Sequence, residues 1–268
     1  KIYLYQVIIM KILLSQRKTL IKVLFILLLF ISIIAFICKS MIFADEKEKV
    51  LSEEKISKIK TIYDKPEKIA YLTFDDGPTK NVTPKVLEIL KKNNTLANFF
   101  VVGKHVAEYP ELVKQEYEDG HFIANHGYSH NNNKLYKSKN DFINEILKTD
   151  EAISTAIGVS GYHSHIFRFP NGSMSKNHYN AKKNATNYLK EIDYTYVDWN
   201  ALNNDSIKKY SKEQLLSNLK KSSKDKGTLV ILMHDTGDVN NTYDVLEDSI
   251  NYIKSQGYEF RTFYDILN

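Results

Sequence analysis

A single cysteine among 268 residues, Cys38, excludes a disulfide framework, and because it lies within an apolar run near the N-terminus, the rest of the chain carries no thiol. No G-x-G-x-x-G follows the first strand-like stretch, which removes the main support for a dinucleotide-binding sheet. No H-E-x-x-H occurs, so a metalloprotease of that helical type has no basis. No repeat of fixed period is present. Basic charge is scarce where a nucleic-acid surface would need it. The chain sums to +5, but residues 1–44 hold six basic side chains and no acid, which leaves −1 on the other 224 residues. The positive excess belongs to a targeting segment.

What is present begins with that segment. Residues 23–38 are uncharged and apolar, and Lys11, Arg17, Lys18 and Lys22 precede them. Such a run has no polar face and reads as a membrane signal with a cytoplasmic N-terminus. It is either an uncleaved anchor or a signal peptide cut after Ala44; Ile42 is a mediocre minus-three residue, and the anchor is preferred. The expected division is 1–19 cytoplasmic, 20–38 transmembrane, 39–66 a charged juxtamembrane stem, partly helical over 48–60, and 67–268 one exported domain. At 43% hydrophobic, with 18 Tyr and 13 Phe, the chain can bury a large core and line a groove that stacks on sugar rings.

From residue 68 short apolar runs alternate with amphipathic stretches. Strands are predicted over 69–74, 97–102, 121–125, 166–169, 194–199, 229–233 and 259–263. Helices are predicted over 84–92, 105–117, 141–157, 180–189, 213–222 and 243–255. Alternation of this kind implies parallel βαβ units, and without the dinucleotide fingerprint a (β/α) barrel of about seven units is preferred over an open doubly wound sheet. A barrel makes its chemistry at the C-terminal ends of strands. Chemically capable side chains collect there: Asp75 and Asp76 before a Gly-Pro turn, His126, Arg168, Asp198 with Trp199, and His234 with Asp235.

Two adjacent carboxylates at a strand mouth must be solvated or bound to a cation. His126 and His130 are four apart, which on a helical turn brings both imidazoles to one metal, and Asp76 completes a three-ligand set with an open position. His163 and His165 read as a loop pair more readily than as a second metal site. His105 and His178 read as surface residues of helices, and His121 as the beginning of a strand at the other end of the barrel. The tract Asn131 to Asn133 reads as loop.

The ordered set TFDDGP, HGYSH, RFPNG, an Asp/Trp region and LMHD resembles the polysaccharide deacetylase family, carbohydrate esterase family 4, over roughly residues 66–268. The resemblance implies a distorted (β/α) barrel and metal-dependent removal of acetyl groups from N-acetylated sugars. It implies Asp76, His126 and His130 as ligands of a divalent metal, zinc first, with cobalt or another divalent ion accepted. Asp75 would be the general base, oriented by Arg168, and His234 the general acid. The backbone N–H of Asn171 would bind the oxyanion, and Trp199 and Leu232 would join it in substrate binding. The fourth motif departs from the family pattern: either Asp198-Trp199 is its acidic pair, or Asp205, followed by Ser206, is the partner of His234, and Asp205 is preferred. The implied protein is a bacterial, single-pass, extracytoplasmic N-deacetylase of cell-wall glycan, peptidoglycan first, monomeric and without a nucleic-acid partner. A glycan-binding barrel without catalysis, or a deacetylase of a biofilm or chitin-like glycan, is the alternative.

Overall fold

The computed structural model describes residues 50–268, apart from Asp238 and Asn241. The cytoplasmic and transmembrane segments expected within residues 1–38 lie outside the described residues, and no helix among those described is long and apolar enough to cross a membrane. The elements run α1 (Glu53–Lys60), β1 (Ile69–Asp75), α2 (Thr83–Lys92), β2 (Asn98–Val101), α3 (Gly103–Glu108), α4 (Pro110–Glu118), β3 (Phe122–Asn125), α5 (Asn132–Leu135) and α6 (Lys139–Ile157). They continue through β4 (Ile166–Phe167), α7 (Tyr179–Glu191), β5 (Thr195–Tyr196), β6 (Ala201–Leu202), α8 (Lys212–Ser223), β7 (Leu229–His234), α9 (Tyr243–Ser255), β8 (Glu259–Phe260) and α10 (Tyr264–Leu267).

Every strand pairing is parallel, in the order β5-β4-β3-β2-β1-β7-β6, with β8 added against the start of β1. That is the cyclic order of a barrel cut between β5 and β6. A doubly wound sheet would reverse at a switch point, and this one does not. The expectation of a barrel is therefore corrected to a curled half-barrel. β4, β5 and β6 are two residues long, too short to carry a ladder across the gap. Asn98 manages the branch at β1: its amide donates to Leu72 O and Arg261 O, and its Oδ1 accepts from Phe263 N–H, joining the start of β2 to the end of β8.

The strands are apolar on both faces, as buried parallel strands are. Ala70, Leu72 and Phe74 of β1 pack against the helices. Tyr71 faces inward, with Phe100, Phe122, Ile166 and Val230 from the neighbouring strands. Phe263 plugs the floor of this interior, stacked on Tyr71 at 5.0 Å and edge-on to Phe122 at 5.7 Å. Side chains alternate faces along a strand, so residues an even number of positions beyond 71, 122, 166 and 230 also turn inward. Asp75, His126, Arg168 and His234 share that inward parity at the upper strand ends.

Local signals account for most boundaries. Ser138 caps α6 by accepting from Asp141 N–H, and Gly158 at φ +72 ends it. Ser211 and Gln214 form a capping box on α8. The single helix expected over 105–117 is two, because Pro110 starts α4 and holds Tyr109 out of helical geometry. Part of the tract read as loop is the short α5. Of the juxtamembrane stem expected over 39–66, residues 39–49 lie outside the described residues, and the part from Val50 onward, with its expected helix at Glu53–Lys60, belongs to the folded unit. Leu51, Ile59 and Ile62 are buried, and the backbone N–H groups of Val50 and Leu51 donate to Asp193.

Candidate active site

Asp75 and His234 are Cα partners across β1 and β7, so strand register alone sets them side by side. Asp75 is almost fully buried and meets the buried Arg168, whose Nη1 donates to Asp75 Oδ1 at 2.7 Å and to Thr73 Oγ1 at 2.7 Å. The guanidinium also donates to Val197 O and Asp198 O, and lies 3.9 Å from the Phe100 ring centroid. Its donors are thus spread over four acceptors, and the charge is paired in place. A buried pair held this way orients the carboxylate, whatever its net worth to stability.

Asp76, His126 and His130 form the one cluster with metal-ligand geometry among the described residues; their ligand atoms lie within 4.8 Å of one another. Both Nε2 atoms approach the same oxygen, Asp76 Oδ1, at 3.3 Å from His126 and 3.1 Å from His130. His126 Nδ1 lies 2.8 Å from Arg168 O. A carbonyl only accepts, so Nδ1 carries a proton and a neutral His126 turns a bare Nε2 toward Asp76. Asp76 Oδ1 is buried and has no hydrogen-bond partner. Lone pairs converging on one another call for a cation between them. Burial raises the Asp76 pKa, but the histidines around it, His126 foremost, outweigh burial and hold the carboxyl below the usual range. Burial pushes His130 down, so the positive charge that Asp76 favours is poorly supplied by that imidazole. The donor set therefore fits a divalent ion of the zinc type. Residues 126–130 are a loop, with φ +82 at Gly127 and +51 at His130, and the helical turn expected there is absent. Left-handed backbone swings His130 back over Asp76.

Across the interior, His234 Nδ1 donates to Asp205 Oδ1 at 2.7 Å, and His234 N–H donates to Asp205 Oδ2 at 2.9 Å. Thr242 Oγ1 also donates to Asp205 Oδ2. Burial lowers the His234 pKa, but the Asp205 hydrogen bond and charge, with Asp75 and Asp76 behind them, carry it up to about 9. The imidazole is then held protonated at neutral pH. Asp198, the other candidate for this partnership, accepts instead from Ser173 N–H and Oγ.

Trp199 lies 5.7 Å from the Arg168 guanidinium and packs on Gly172, where an added Cβ would meet the indole at 2.9 Å. Leu232 is buried on β7, and Asn171 is exposed on the rim at φ +64. His163 pairs with the buried Asp150 and His165 with Asp193 O, away from the triad. His178 stacks loosely on Tyr136, and His121 accepts from Ala97 N–H. Two residues matter more than the pattern suggested. His105 donates to Asp76 O at 2.8 Å, bracing the ligand from behind. Asp235 is buried under Gly77, accepts from Thr83 Oγ1 at 2.6 Å and leaves Oδ1 unpartnered; burial raises its pKa to about 7. A Cβ on Gly77 would lie 2.1 Å from Asp235, so the glycine at that turn is the signal that could have revealed the contact.

A parallel β/α half-barrel with a candidate metal triad, an arginine-paired carboxylate and a carboxylate-paired imidazole at its C-terminal mouth has the makings of a hydrolase. The family model for polysaccharide deacetylases matches residues 62–197, and the chain belongs to that family. It is 34% identical over 206 residues to a peptidoglycan-N-acetylglucosamine deacetylase of Bacillus cereus, covering 75% of this chain and 71% of that protein. It is 35% identical over 199 residues to the peptidoglycan-N-acetylglucosamine deacetylase PgdA of Listeria monocytogenes, covering 74% of this chain and 38% of that longer protein. The catalytic domain of a peptidoglycan N-acetylglucosamine deacetylase from Eubacterium rectale superposes with a TM-score of 0.66 at 30% identity, over 73% of this chain and 88% of that one.

Proposed function

We propose that the protein hydrolyses the N-acetyl group of N-acetylhexosamine residues in peptidoglycan, releasing acetate, with a divalent metal at Asp76, His126 and His130. The observation that carries this reading is the triad standing between two separately held pairs, Asp75 with Arg168 and His234 with Asp205. The metal, zinc first, supplies when bound a Lewis acid for the amide carbonyl and a water of lowered pKa. Asp75 takes the proton of the attacking water. The N–H of Asn171 receives the oxyanion as the carbonyl becomes tetrahedral. His234 delivers its proton to the leaving nitrogen as the C–N bond breaks, so an amine departs and no amide anion forms. Adjacent Asp75 and Asp76 do not form the opposed carboxylate pair that glycoside cleavage uses.

The similarity to peptidoglycan deacetylases supports a cell-wall substrate. We place the protein in the bacterial membrane as a single-pass monomer, its domain extracytoplasmic and anchored through 20–38. Purified peptidoglycan is incubated with the zinc-loaded protein, digested to muropeptides and weighed by mass spectrometry. Loss of acetyl from the glucosamine ring supports the reading, and loss from the muramic ring reassigns the sugar. Fully acetylated muropeptides, with glycan retained on the protein, would replace it with a non-catalytic binding role.

A further inference from the structure

Helix α7 delivers to the site rim a buried charge that the proposed chemistry leaves unused. Lys182 is 1% exposed, and its Nζ donates to Pro170 O at 2.9 Å, Gly172 O at 2.7 Å and Ser175 Oγ at 2.7 Å. Three protons meet three acceptors, all in the loop that follows Arg168. An ammonium buried without a carboxylate in contact is an expensive way to hold a loop that neutral donors could hold.

The loop explains the choice. Phe169, Pro170, Asn171 and Gly172 form a type II turn: proline stands second, Asn171 third at φ +64, and Gly172 N–H donates to Phe169 O at 2.8 Å. Types I and II differ by a flip of the central peptide, here Pro170–Asn171. In a trans peptide the C=O and N–H point opposite ways. Whatever holds Pro170 O therefore also aims Asn171 N–H. That N–H donates to no group among the described residues, so no other hydrogen bond fixes it. A cation on the carbonyl also polarises the amide and strengthens its N–H as a donor.

We propose that Lys182 is a positioning residue that locks the Pro170–Asn171 peptide in its type II orientation and thereby presents Asn171 N–H as the oxyanion donor. The inference rests on the deacetylase reading and on the role given there to Asn171. It predicts that Lys182→Met and Lys182→Gln lower kcat about 100-fold, the loss expected for one oxyanion donor. KM for an N-acetylglucosamine tetramer and zinc content should both hold within about threefold. Adding Asn171→Gly, which favours positive φ without restoring charge, should recover at least about tenfold of the lost kcat. A merely structural lysine would lower Tm and active fraction, and the glycine would recover nothing.

Wild-type kcat in either single variant overturns the inference, as does an Asn171→Gly double variant no faster than its parent. Lys182→Gln keeps two N–H donors on a shorter side chain but no charge, and carries the test if Lys182→Met does not fold. Wild-type protein and Asp75→Asn are assayed alongside. Wild-type activity that the lysine variants retain refutes only the role of Lys182. A wild-type protein that releases no acetate brings down the deacetylase reading and this inference with it.

Discussion

Replacing Asp205 with asparagine isolates the group that makes His234 an acid. The hydrogen bond between them is 2.7 Å long, with Asp205 buried and His234 partly so, and the imidazole stands at about 9 against an ordinary 6.5. That gap corresponds to roughly 3 kcal/mol of preference for the imidazolium. Asparagine keeps the size of the side chain, but it removes the charge and can offer only one carboxamide oxygen where two acceptors stood. His234 N–H and Thr242 Oγ1 both donate to Asp205 Oδ2, so an NH2 there leaves at least the backbone donor unpaired. Burial, opposed until then by Asp205, would carry the imidazole down. If its pKa reaches about 6, the protonated fraction at about pH 7.5 drops roughly 30-fold, and kcat/KM with it.

The assay is acetate release from an N-acetylglucosamine tetramer across about pH 5.5 to 10. The intact protein should lose activity as pH rises through about 9. A cation at the triad offsets Asp75 and Asp76 and moves that limb somewhat lower, while the Asp205 contribution remains. The same shift sets a stability window. His234 has its pKa raised on folding, so its stabilisation is complete below 6.5 and lost as pH rises through about 9. Asp205→Asn should therefore lower Tm near pH 6 and flatten its dependence between the two values. An alkaline limb that stays at about 9 in Asp205→Asn would refute the assignment of Asp205 as the group that raises His234.

Other outcomes separate the remaining parts. His126→Ala should lose the metal, read by elemental analysis, while His234→Ala should keep it and release no acetate. Asp75→Asn should abolish turnover with metal retained. It should also cost about 3 kcal/mol or more in urea unfolding, because it leaves Arg168 buried with its carboxylate partner neutralised; turnover at the wild-type rate would remove Asp75 from the base role. Gly77→Ala should destabilise the protein by about 1 to 3 kcal/mol and lower metal occupancy, since its Cβ would displace Asp235 or the turn carrying Asp76. Unfolding curves and metal content that match the parent protein would show that the turn yields freely.

Much of this molecule was legible in its sequence because parallel β/α architecture writes itself in period and punctuation. Apolar runs buried on both faces marked β1 and β7, and chemically capable residues at their ends marked the rim. The helices were found to within a residue or two where Ser138, Gly158 and Ser211 signal their ends. Signals failed where the physics is not local. β6 is two residues long, and Asn200 just before it reaches β7 through its backbone N–H to Val230 O and through side-chain bonds to Val230 N–H and Thr228 O, which no periodicity announces. The segment before Lys68 reads as a polar stem because, among its described residues, Leu51, Ile59 and Ile62 alone are fully buried, with Ile56 and Tyr63 packed beside them, a stripe too thin to stand out among charges.

The sequence alone determined the family, the parallel alternation and the place of Asp75, His126, Arg168 and His234 at the C-terminal ends of strands, because each follows from residue order and from apolar runs alternating with amphipathic stretches. Tertiary structure decided what no spacing could. It left the barrel open between β5 and β6, and it turned Asp205 toward His234 while Asp198 went to Ser173. It folded His130 over Asp76 through left-handed backbone, set His105 and Asp235 behind the first strand's turn, and brought Lys182 under the Pro170–Asn171 peptide. Each of these contacts joins segments that only the closed packing of the strands brings within a few ångströms. A sequence specifies such contacts through the whole fold, and shows them in no single stretch.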